Sequence, residues 1–202
     1  MAALVVEQRA FGERKSGKYL EFEKDAETSC WHPAMTAIFM GRTLIGERVW
    51  DISRAIDVLE TMDEIDSDKI AVMGNSGGGT TAYYAACMDE RIKIVMPSCS
   101  ICTFEKSINA CVHCMCNYIP NIAKYFDMGD LACLIAPRPL VMVSGQFDKD
   151  FNIEGCKKAY ETIEAIYEKA GAKDKCRLVI GPEGHRFYAD LSWPEFNKLS
   201  NW

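Results

Sequence analysis

Lys69-Ile70-Ala71-Val72-Met73-Gly74-Asn75-Ser76-Gly77-Gly78-Gly79-Thr80-Thr81-Ala82-Tyr83-Tyr84-Ala85-Ala86 is the stretch on which the fold turns. An apolar run at 70–73 reads as a buried strand and stops at glycine, and a helix-compatible run follows at once. Ser76 stands between them with a glycine two residues to either side. In this setting, strand before and helix after, G-x-S-x-G is a nucleophile turn. The bend leaves little room for side chains at its flanks, hence glycine. It lifts Ser76 Oγ over the strand's carboxyl end. The next N–H, that of Gly77, lies at a helix N-terminus, where donors lack partners and the dipole favours a developing anion.

Working outward, strands and helices alternate. Val49, Ile52, Ile56 and Leu59 recur at helical spacing ahead of the turn. Behind it, 92–96 reads as a strand closed by Pro97, and 98–137 as a long cysteine-rich insertion over the active-site side. A further strand at 139–144 opens onto Gly145-Gln146-Phe147-Asp148-Lys149-Asp150. An amphipathic helix over 153–170 stops at Gly171, a last strand at 176–180 leads to Gly181-Pro182-Glu183-Gly184-His185, and a short helix is expected from Pro194 to Trp202. At the other end, 3–8 reads as a buried strand and 15–32 as a polar loop. The pattern predicts one α/β domain over 1–202, a mostly parallel sheet with helices on both faces.

Composition narrows the function classes. A net charge of −6 argues against nucleic acid and against an anionic membrane surface. No apolar run reaches the ~20 residues of a spanning helix, and no basic-then-apolar leader opens the chain, so a cytoplasmic protein is expected. Ten cysteines in a chain of this size then read as reduced thiols. Cys99/Cys102 and Cys111/Cys114 form two C-x-x-C pairs, with His113 and Cys116 adjacent. Their separation is shorter than in zinc ribbons, and buried thiols acting as small hydrophobes are the expected case, with no metal and no cofactor.

A serine hydroxyl needs a base, and the base needs an acid to orient it. Loops after strand ends supply both in such sheets. Of three histidines, His32 precedes the turn and His113 lies in the insertion, leaving His185 after the last strand. Asp148 follows the strand at 139–144 and is favoured as the acid over Asp150, two residues on. Gly77 is the expected oxyanion donor and Asn75 a substrate contact. Phe147, Tyr118 and Phe187 read either as walls of an acyl pocket or as core. Arg42 and Arg138 read as loop anchors rather than as binders of an acidic substrate.

The chain resembles the α/β-hydrolase branch that holds acetyl xylan esterases and dienelactone-hydrolase-like carboxylesterases. The likeness rests on Glu7-Gln8-Arg9-Ala10-Phe11-Gly12-Glu13-Arg14, on Gly41-Arg42-Thr43-Leu44-Ile45-Gly46-Glu47-Arg48-Val49-Trp50-Asp51, and on the nucleophile turn. It continues through Cys114-Met115-Cys116-Asn117-Tyr118-Ile119-Pro120, Ala136-Pro137-Arg138-Pro139-Leu140 and Gly184-His185-Arg186-Phe187. It implies hydrolysis of small carboxylic esters, acetyl esters of sugars included, through an acyl-enzyme without metal or organic cofactor. Ser76 would attack, His185 would shuttle the proton and Asp148 would orient it, in the chain order of that superfamily. The chain departs from the pattern at its start. The strand at 3–8 would correspond to the fourth of eight, and neither the third strand nor the oxyanion loop it carries is seen. The strand at 3–8 would then pair directly with 70–73, or another chain would fill the gap. Otherwise the domain would be a non-catalytic or partner-dependent remnant serving binding or assembly. The free sheet edge leads to the expectation of a homo-oligomer.

Overall fold

The computed structural model describes residues 1–15 and 30–202. The 15–32 loop reading falls largely outside them. Four parallel strands, β1 (Ala71–Asn75), β2 (Ile94–Ser98), β3 (Leu140–Gly145) and β4 (Cys176–Gly181), lie side by side in sequence order. Their registers pair Ala71 with Ile94, Val95 with Leu140 and Leu140 with Cys176, so all four carboxyl ends meet along one rim.

Successive side chains leave opposite faces of the sheet. Val95, Leu140, Met142 and Cys176 enter the larger core. There they meet Ile56 of α2 (Leu44–Leu59), Tyr83 and Ala86 of α3 (Gly77–Met88), and Ile163 and Tyr167 of α5 (Ile153–Lys169). Ile94, Met96, Val141, Val143 and Val179 face the other way, under Tyr188 and Phe196 of the segment that ends in α6 (Ala189–Ser200). This is the doubly covered sheet the alternation predicts. The remaining helices are α1 (Trp31–Phe39), with Pro33 in its first turn, and the single-turn α4 (Ile122–Tyr125).

Three elements differ from the sequence reading. Residues 3–8 form no strand: Leu4 is 54% and Val5 90% exposed, and neither joins a sheet. The expected pairing of 3–8 with the strand at 70–73 does not form, because the residues that follow are held on α2 rather than along the outer edge of β1. Helix α1 replaces an unassigned stretch. Helix α6 begins at Ala189 rather than at Pro194, because Trp193 and Phe196 pack their rings edge-to-face at 5.2 Å over the second core and hold the helix through the proline.

The segment around residues 7–14 is pinned to α2 instead of to the sheet. Arg9 grips Asp51 with two bonds of 2.8 Å, and Arg14 adds a third at 2.9 Å. Buried Arg48 donates twice to the Arg9 carbonyl, at 3.1 and 2.7 Å. These contacts join two of the stretches, 7–14 and 41–51, that carried the resemblance.

On its outer side β1 has no partner strand among the described residues, and Met73 is partly exposed on the face that α6 covers elsewhere. Arg138 ties the opposite ends of several elements together. It donates to the carbonyl oxygens of Ala86, Asp89, Ile92, Leu134 and Ile135, which is the anchoring role read from sequence. Arg42 pairs with Glu47 at 3.4 Å.

Candidate active site

Ser76 sits at φ 55° and ψ −124°, a conformation that a non-glycine residue keeps only where its surroundings impose it. Two glycines make it feasible. A Cβ on Gly74 would strike the Gly78 carbonyl, and one on Gly79 would strike Ser98 O and Ser100 Oγ. The turn is locked to the next strand by Ser76 N–H donating to Ser98 O at 2.9 Å.

That bond also brings Ser76 beside the end of β2, where Cys99 follows at φ 47°. Cys99 Sγ, a carboxylate oxygen of Asp148 and a ring nitrogen of His185 all lie within 4.8 Å of one another. Serine, thiol, carboxylate and imidazole therefore share one stretch of rim, each delivered by the end of a different strand. No hydrogen bond joins Ser76 to His185 among the described residues. In hydrolases without substrate this bond is often long and tightens in the complex.

His185 Nδ1 lies 2.8 Å from Asp148 Oδ2 and 3.9 Å from Asp150 Oδ2. Asp148 is buried, whereas Asp150 is exposed. The other Asp148 oxygen accepts the backbone N–H groups of Asp150 (2.9 Å) and Phe151 (3.1 Å). Burial alone would raise the Asp148 pKa. The bonds from His185 and from the two backbone N–H groups outweigh it and hold the carboxyl below its ordinary value. An ionised Asp148 fixes the proton of His185 on Nδ1 and leaves Nε2 free as a base. Its hydrogen bond to Asp148 raises the pKa of His185, against the opposing effect of burial. Burial, with Asp148 nearby, pushes the Cys99 thiol up to about 11, so it stays neutral and donates to Arg186 O.

Ser76 opens onto a cleft of about 510 Å³. Asn75, Gly77 and Gly78 line it beside the serine. The Asn75 side chain is held by Ser98 Oγ, which donates to Asn75 Oδ1 at 2.8 Å. The opposite walls come from Gln8 and Phe11, His113 and Cys114, and Phe151, none of which the sequence reading named as a site residue. Thr81 Oγ1 donates to Gln8 Oε1 at 3.0 Å, fixing the amide with Nε2 3.4 Å from where a Gly78 Cβ would stand. His113 Nε2 meets Ser107 Oγ at 3.0 Å and Asp150 O at 3.1 Å. Since Ser107 donates its own proton to Asp150 O, His113 carries its hydrogen on Nε2 and serves as a fixed wall. Phe151 stacks on His185 at 6.0 Å and meets His113 edge-on at 5.1 Å.

The three aromatic residues read as pocket walls or as core do not line the cleft, and only Phe187 takes the core alternative. Phe147 points outward at 70% exposure, and Tyr118 lies partly exposed with its hydroxyl on Ile108 O. Phe187 packs edge-to-face on Trp193 at 6.3 Å in the second core. The loops, not the strands, set which aromatic faces the cleft, and loop conformation has no period to read.

Sheet order and the strand–turn–helix around Ser76 give a fold of the α/β-hydrolase type. Comparison with known proteins agrees and narrows the likeness. The family model described as "Glucuronyl esterase, fungi" matches residues 43–107. "Putative hydrolase YtaP" of Bacillus subtilis (strain 168) is 28% identical over 202 residues, covering 98% of this chain and 64% of its own. The 4-O-methyl-glucuronoyl methylesterase 1 of Wolfiporia cocos is 27% identical over 172 residues, covering 70% of this chain and 41% of its own. The solved family 15 glucuronoyl esterase of Caldicellulosiruptor kristjansonii superposes with a TM-score of 0.70 at 20% identity, over 96% of this chain and 56% of that one. The chain thus spans between about two fifths and two thirds of the length of these relatives.

Proposed function

We propose that the protein is a serine hydrolase that cleaves carboxylic esters carried by sugars, with esters of a uronic acid carboxyl group ahead of acetyl esters. The observation that carries the reading is the 2.8 Å bond between His185 Nδ1 and buried Asp148, on the same rim as a serine in nucleophile-turn geometry. The preference for uronate esters rests on the family match over 43–107, the part that contains the nucleophile turn.

In this reading Ser76 Oγ attacks the ester carbonyl while His185 Nε2 takes its proton. The oxyanion that develops is met by the Gly77 N–H at the start of α3 and, from the facing wall, by the Gln8 side-chain amide. Protonated His185 then passes its proton to the leaving alcohol. Water, activated by the same nitrogen, releases the acid from Ser76. Asp148 holds the imidazole in the required tautomer throughout. No step needs a metal or an organic cofactor.

The outer edge of β1, unpaired among the described residues, favours a second reading, a partner-dependent domain that binds or assembles without turnover. Steady-state assays on p-nitrophenyl acetate and on a benzyl ester of glucuronic acid, each with Ser76→Ala as control, separate the two. The esterase reading predicts turnover of both, a higher kcat/KM for the glucuronate ester, and its loss in the variant. Equal rates for the two proteins would leave the binding reading.

A further inference from the structure

The two C-x-x-C pairs do not come together. Cys99 joins the acid–histidine pair, and Cys102 Sγ meets Asn152 O. A different thiol cluster forms instead. Cys30, just ahead of α1, meets Cys114 and Cys116 of the cysteine-rich segment, and their three Sγ atoms lie within 4.8 Å of one another. Cys116 Sγ stands 3.2 Å from Cys114 Sγ. Cys30 and Cys116 are buried, while Cys114 is half-buried and lines the Ser76 cleft, which gives an ion a way in.

Size, charge and ligand type agree on one occupant. Zinc–thiolate bonds of about 2.3 Å in a tetrahedron set sulfur atoms roughly 3.8 Å apart. That spacing lies between the closest pair and the outer limit of this cluster. Three thiolates around a divalent ion carry one net negative charge, which is costly to bury alone. The guanidinium of Arg48, 1% exposed, donates from Nη2 to Cys30 Sγ at 3.2 Å and supplies the balancing positive charge. Its Nη1 is a buried donor without a hydrogen-bond partner among the described residues. Thiolates select a soft or borderline ion over magnesium or calcium.

We propose that Cys30, Cys114 and Cys116 form a zinc site, with its fourth position open to water from the cleft. A bound ion would clamp the start of α1 to the cleft wall. Thiols must lose their protons to ligate a metal, so binding displaces protons and tightens as pH rises. The site stands whether or not Ser76 turns over an ester.

The test is titration of reduced, metal-free protein with Co2+, followed by displacement with Zn2+. The proposal predicts a thiolate-to-cobalt charge-transfer band that saturates at one ion per chain and vanishes on adding Zn2+. Cys116→Ser and Cys114→Ser should each weaken the band sharply, with far-UV circular dichroism confirming that each variant is folded. Cys114 is half-buried, so its variant remains informative if Cys116→Ser does not fold. Cys99→Ser and Cys133→Ser should keep the band. Absence of the band at equimolar Co2+, its survival in the folded Cys114 and Cys116 variants, or its loss in Cys99→Ser would overturn the assignment.

Discussion

Asp148 Oδ2 accepts from His185 Nδ1 at 2.8 Å, while Asp150, two residues away, comes no closer than 3.9 Å to the same nitrogen. The two carboxylates are therefore not equivalent. Asp148→Asn should lower kcat by roughly 10⁴-fold, because an amide there can select the wrong imidazole tautomer. Asp150→Asn should stay within about 10-fold of the parent. Paired kcat measurements check this; comparable losses in both variants would mean that the acid is shared.

The same bond sets a pH dependence. His185 must be neutral to act as a base, and its pKa is raised above the ordinary 6.5. kcat/KM should therefore fall, as pH drops, at a midpoint above 6.5, and that midpoint should move down in Asp148→Asn. Stability follows with opposite signs. The contribution of His185 is full below 6.5 and is lost as pH rises through its raised pKa. That of Asp148 is present above 3.8 and is lost as pH falls through its lowered pKa. Denaturant midpoints across pH, compared with Asp148→Asn, read both limbs.

Gln8 faces the nucleophile turn with its carbonyl tied to Thr81, and in the proposed mechanism its amide N–H group is the second donor to the oxyanion. Gln8→Ala should cost on the order of 10² in kcat with little change in KM, as loss of one oxyanion donor does elsewhere. A change confined to KM would make Gln8 a substrate contact instead.

Much of this arrangement was legible beforehand, for physical reasons. The β1–α3 turn has strict steric demands, met by Gly74 and Gly79, and those demands leave a pattern in the chain. Asp148 and His185 each follow a strand with a clear apolar run, so their arrival on the rim could be foreseen. Residues 3–8 misled because apolar, β-favouring composition carries no sign of the long-range contacts that tie the next residues to α2 instead of to the outer edge of β1. The cleft walls were hidden for a related reason. Gln8 and Phe11 are held in the Ser76 cleft by long-range bonds such as Arg48 to the Arg9 carbonyl, a contact between residues 39 positions apart.

Arg138 offers a stability test away from the cleft. Its guanidinium satisfies five carbonyl oxygens at the ends of α3 and of the segment before β3. Arg138→Ala should cost about 3 kcal/mol, since truncation leaves buried acceptors unpaired. Arg138→Lys should recover only part of it. Urea denaturation of the three proteins gives the ranking.

The open edge of β1, with Met73 partly exposed beside it, is a template for strand pairing. Self-association through this edge is the expected outcome in light scattering. Met73→Lys should weaken it by placing charge on the adjoining face; a monodisperse monomer would remove the oligomer proposal.

Reaction with a fluorophosphonate, followed by intact mass and peptide mapping, asks whether Ser76 is an activated nucleophile. One adduct per chain is expected, on Ser76, formed far more slowly in His185→Ala and absent in Ser76→Ala. An unlabelled but folded protein, or an adduct on any other residue, would contradict that role.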